Sequence, residues 1–158
     1  MTPSTEQDAL PRLPSIARWL GFAGLLPQLL LTAVMFSEAS DSGSRAASLA
    51  LVYSALILSF LGGTWWGLAA RSKAQVPWWI WLSAIAPSLI GFAALVATVT
   101  GQDPQVSLYV VGGSLFGALG VDYRLATTSM CPIGWLVLRV PLSLGLGGLT
   151  ILIGSLSS

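Results

Sequence analysis

Asp122 and Arg139 bracket the last polar break of this chain, and any chemistry in the sequence is best sought there first. Asp122 ends one long apolar run, and Arg139 lies one helical turn beyond Trp135 inside the next, so their depths match. Such a pair can pin two helices together; alternatively, the guanidinium can clamp a lipid phosphate or a ligand carboxylate. Arg139 is also near enough to the end of its run to extend its head toward the interface. A proton relay would need further acids along a span, and the apolar runs supply none.

Tryptophans cluster around the same depth. Trp65 and Trp66 close one apolar run, Trp78, Trp79 and Trp81 open the next, and Trp135 opens the last. Adjacent residues stand about 100° apart on a helix, so Trp65 and Trp66 are expected to split, one meeting the interface and the other packing toward the following span. Trp65, Trp66, Trp78 and Trp79 with Arg139 could roof a flat pocket for a quinone, a tetrapyrrole or a lipid. The same residues also read as an aromatic belt at a membrane surface.

Small residues recur at helical spacing. Ala55, Ser59, Gly63 and Gly67 fall every fourth residue, as do Gly113 and Gly117, with Gly120 beyond them, and Ser143 with Gly147. Small faces let backbones approach closely, either within one bundle or against another membrane protein. Around Pro87, Ser88 and Gly91 could open a small space in a kinked helix, while Pro27 and Pro141 are expected to bend theirs.

Nucleophiles find no base. The sequence has one cysteine, Cys131, and no histidine. Ser54, Ser59 and Ser88 therefore lack the usual triad partner, and the commonest metal and haem ligand is missing. These residues point away from an enzyme and from a metal centre.

The elements that carry these residues are apolar throughout. Only 8% of the chain is charged, against roughly 25% in soluble domains, and the mean hydropathy is +0.80. Five apolar runs, over residues 17–36, 46–70, 78–99, 106–121 and 135–156, approach the roughly 20 residues that a spanning helix needs. Strict two-residue alternation is absent, so the expected fold is an all-α membrane bundle of five transmembrane helices with short connections. Residues 1–14 read as a disordered tail, and residues 15–158 as one transmembrane domain.

Charge sets an orientation. Arg12, Arg18, Arg71, Lys73, Arg124 and Arg139 fall on the side of the N-terminus, and Arg45 falls on the other. The positive-inside rule then puts the N-terminus in the cytoplasm and the C-terminus in the periplasm of a bacterial inner membrane. No basic run suited to nucleic acid is present.

The segments "YSALILSFLGGTWWG", "PSLIG" and "WLVLR", with Asp122, resemble the membrane family called domain of unknown function 3429, which has bacterial and mitochondrial members. That family pattern often carries a histidine just before the Trp-Gly pair, where this chain has Trp65. The resemblance implies a multispan inner-membrane protein and no particular activity. Length and tryptophan content are also similar to the tryptophan-rich sensory proteins, but here "VPWWIW" follows the second span rather than the first. Taken together, the expectation is a non-enzymatic accessory or assembly subunit that docks on a larger complex of an energy-transducing membrane. The alternative is a small-molecule binder.

Overall fold

The structure is a computed structural model that describes residues 14–36, 40–72, 75–128 and 130–157. The tail expected over 1–14 lies outside these residues except for Pro14, as does Lys73. Among the described residues, six helices occur in the order α1 (Ser15–Ala23), α2 (Leu26–Met35), α3 (Ser40–Arg71), α4 (Trp78–Val99), α5 (Pro104–Thr127) and α6 (Trp135–Leu156). They make five segments long and apolar enough to cross a membrane, because α1 and α2 together form one broken span.

That break has a chemical cause. Pro27 sits in the first turn of α2 and has no N–H to donate back to α1. The Tyr53 hydroxyl of α3 donates to the carbonyl of Gly24 at the break, supplying a partner where no water is available. Tyr53 thereby anchors the first span to the second.

Two boundaries differ from expectation. The second span begins earlier, since α3 starts at Ser40 rather than residue 46. The fourth span ends later, because α5 runs through Asp122, Tyr123 and Arg124 to Thr127. The sequence placed these charges in a loop, but nothing from Asp122 to Thr127 breaks a helix, and the first proline beyond them is Pro132. At its other end α5 is capped by Asp103, whose side chain accepts from the N–H of Gln105 at 2.9 Å.

α3 is the hub of the bundle, packing against α2, α4, α5 and α6, while α5 and α6 form a second close pair. Glycines set the closest approaches. A Cβ on Gly62 would strike the carbonyl of Ala84, and one on Gly91 would lie 3.2 Å from the carbonyl of Ala55. Gly112 and Gly147 do the same for α5 and α6, each presenting its carbonyl 3.1 Å from the Cβ position of the other. Backbones that meet this closely gain dispersion contacts, the main source of helix association in lipid. Pro87 is buried in α4 facing α3, and Ser88 bonds to Ser59 at 2.8 Å, so the space expected around Pro87 is partly filled by α3.

Large apolar side chains cover the outside: Leu49, Leu56 and Phe60 on α3, and Leu82, Leu89 and Phe92 on α4, are all exposed. The buried positions are mostly apolar as well, but several carry polar groups that bond to one another. Thr150 of α6 donates to the carbonyl of Leu146 at 2.7 Å and accepts from Gln28 at 3.1 Å and from Ser54 at 2.8 Å, tying α2, α3 and α6. Keeping the polar groups inside the bundle and apolar side chains on its surface is the arrangement that hydrocarbon favours.

Candidate functional site

The helices bring Asp122, Arg139, Trp65 and Trp135 to one point. Asp122, on the inner face of α5, is fully buried, and Arg139 on α6 is 6% exposed. Arg139 Nε donates to Asp122 Oδ2 at 2.8 Å, and Nη2 lies 2.8 Å from the same oxygen. Asp122 Oδ1 accepts from Trp65 Nε1 at 2.8 Å and from Trp135 Nε1 at 3.0 Å. The Arg139 guanidinium also sits 5.5 Å from the centre of the Trp135 ring. One carboxylate therefore joins α3, α5 and α6, and its charge is balanced by the guanidinium.

The approach to this hub is shaped by the preceding loop. Gly134 adopts a left-handed conformation, φ 86°, just before α6, a turn that favours glycine. Cys131 of the same loop is buried. Burial first, and then the nearby Asp122 charge, push its thiol up to about 11 from 9.0, with Arg139 partly offsetting them.

Nη2 of Arg139 is close to Asp122 but has no aligned N–H toward it, and it makes no other hydrogen bond. Ser143, one turn further along α6 and on the same face, is 2% exposed, and its hydroxyl is likewise unpartnered. Both residues border a cavity of about 180 Å³ between α1, α3, α5 and α6, with Leu20, Leu25, Phe60 and Leu115 also in its walls. Leu20 and Phe60 are largely exposed, so the cavity reaches the outer surface.

The other tryptophans do not share one pocket. Trp66 is half-exposed and packs edge-on against Trp81 of α4, centroids 4.9 Å apart. Trp78 is 73% exposed. Trp79 lines the mouth of a groove between α4 and α5, beside Gly117, Gly120 and Arg124, while Trp65 borders its deeper part. The split expected of Trp65 and Trp66 is present, but it is the outward Trp66 that meets α4, and the inward Trp65 reaches the acid of α5.

The small-residue stripe of α3 also divides. Ala55 packs on Gly91 and Ser59 bonds to Ser88, both inside the bundle. Gly63 and Gly67 face outward, with nothing within 4 Å of an added Cβ, and Gly113 and Gly117 of α5 are equally open. Sequence reasoning passed over Gly62, Gln28 and the cavity face of Ser143. A polar residue in an apolar run was the available signal for Gln28.

No solved structure matches the chain significantly. Among curated proteins, the chain is similar to Transmembrane protein 69 of Xenopus tropicalis, 29% identical over 137 residues. That match covers 85% of this chain and 52% of the relative, so the chain spans about half the length of the curated protein it matches. The family profile described as Protein of unknown function (DUF3429) matches residues 13–156. A membrane-spanning bundle, a transmembrane relative and a profile match along nearly its whole length agree, and the chain belongs to the DUF3429 family.

Proposed function

We propose that this protein works without catalysis, as an accessory or assembly subunit that docks a transmembrane helix of another integral membrane protein. The observation that carries the reading is the outward placement of Gly63 and Gly67 on α3. A glycine inside a helix costs about 1 kcal/mol relative to alanine, through lost backbone entropy. Gly62, Gly91, Gly112 and Gly147 recover that cost by bringing helices of this bundle together, whereas Gly63, Gly67, Gly113 and Gly117 recover nothing within it. A partner backbone seated on Gly63 and Gly67 would supply the missing contacts of α3.

The buried, protonated Cys131 thiol and the fully engaged Asp122 carboxylate support a non-catalytic role. Location in a bacterial inner membrane, with the N-terminus and the tryptophan-rich end toward the cytoplasm, is part of the same proposal and rests on the basic residues at that end. Its natural setting is a larger respiratory or photosynthetic membrane complex, and nucleic acid is no partner.

Co-purification from native membranes in mild detergent tests the docking. Gly63→Leu and Gly67→Leu are expected to lose a membrane protein that the unmodified chain retains. Unchanged recovery of that partner from both folded variants would count against the reading.

A further inference from the structure

The cavity beside Arg139 is mostly apolar, and two donors four residues apart on α6 border it: the Ser143 hydroxyl has no hydrogen-bond partner, and Arg139 Nη2 makes no hydrogen bond beyond its ion pair with Asp122. Other hydroxyls in the bundle find partners on their own helix or a neighbouring one: Thr32, Ser114 and Thr150 each donate to the carbonyl four residues earlier, and Ser59 bonds to Ser88. Ser143 makes no such bond, and its hydroxyl is buried without a partner. A buried donor left without an acceptor is unfavourable, so the Ser143 hydroxyl, with the remaining N–H of Arg139 Nη2 beside it, calls for an occupant.

Charge narrows what that occupant is. The positive charge of Arg139 is already matched by Asp122, so the floor is neutral as a unit. A second carboxylate or a phosphate would enter beside Asp122, desolvated and uncompensated. A neutral acceptor fits instead, taking one hydrogen bond from each donor with its two lone pairs. Size narrows it further. A void of about 150 Å³ lined by Leu, Ile and Phe takes up benzene, and this one is about 180 Å³. A single ring or an ester group fits, a tetrapyrrole does not, and a longer apolar tail leaves between Leu20 and Phe60 into the lipid.

We propose that this cavity binds a neutral carbonyl group carried on an apolar body, its oxygen accepting from Arg139 Nη2 and Ser143 Oγ. The head of a membrane quinone and the ester of an uncharged diacylglycerol share that chemistry. This inference is independent of the docking face, which lies on the outward side of α3.

Equilibrium binding of a radiolabelled short-tailed benzoquinone and of a short-chain diacylglycerol, to the full chain in nanodiscs of ether-linked phospholipid, tests it. Saturable binding of either compound is expected, and which one binds identifies the source. Ser143→Ala is expected to weaken that binding about fivefold, the loss of one hydrogen bond. Ser143→Leu, which fills the floor, is expected to abolish it, and Ser83→Leu in the α4–α5 groove to leave it intact. No saturable binding of either compound, binding unchanged in a folded Ser143→Ala, or tighter binding of a fatty-acid anion that Ser143→Leu removes would overturn the proposal.

Discussion

Arg139 and Asp122, 17 residues apart in sequence, meet inside the bundle with both Nε and Nη2 of the guanidinium 2.8 Å from Oδ2 of the carboxylate. The contact joins α5 to α6 at the end of the bundle where the tryptophans gather, and the two indoles on Oδ1 extend it to α3.

Breaking one side of that pair should be far worse than removing both. Asp122→Asn leaves a guanidinium buried without its counter-charge and is expected to cost roughly 3–5 kcal/mol. Asp122→Leu combined with Arg139→Leu exchanges the pair for apolar bulk and is expected to recover most of that loss. Unfolding of the purified protein in detergent, compared across Asp122→Leu, Arg139→Leu and the double, measures the coupling.

Neighbouring glycines should behave in opposite ways. Gly62→Leu drives a side chain into the carbonyl of Ala84 and is expected to destabilise the bundle by about 1–3 kcal/mol or more. Gly63→Ala meets open space and is expected to leave stability unchanged or raise it by up to about 1 kcal/mol. Thermal unfolding midpoints in one detergent compare them directly.

Cys131 links the hub to pH. The folded state holds the thiol proton up to about 11, against 9.0 for an ordinary thiol. The unfolded chain therefore loses its proton first, and stability is expected to be fully present below about pH 9 and to fall as pH rises from there through 11. The slope between about pH 9 and 11 should be shallower in Cys131→Ala. Alkylation by a water-soluble maleimide at pH 8 is expected to be slow in the native protein and fast after denaturation.

Much of this architecture is legible in the sequence because hydrocarbon imposes few solutions. Apolar length gave the five spans, and matched depth gave the pairing of Asp122 with Arg139. Trp65 was harder, since an indole at an interface usually marks the boundary, and only the fold shows it turned inward onto a carboxylate. The α3 stripe divides for a geometric reason: four residues advance about 400°, so each step rotates the face by about 40°. Ala55 therefore ends inside against α4, and Gly67 ends outside. The unpartnered Ser143 hydroxyl and the cavity beside it were unreadable, because that cavity depends on how segments far apart in sequence meet.

Photo-cross-linking in native membranes, with a benzophenone amino acid in place of Gly63 and, as a control, in place of the exposed Leu49 on the same helix, tests the docking face most directly. The account predicts one discrete adduct with another integral membrane protein from position 63 and none from position 49. Adducts from position 63 with lipid alone, or only with a second copy of this chain, would contradict it.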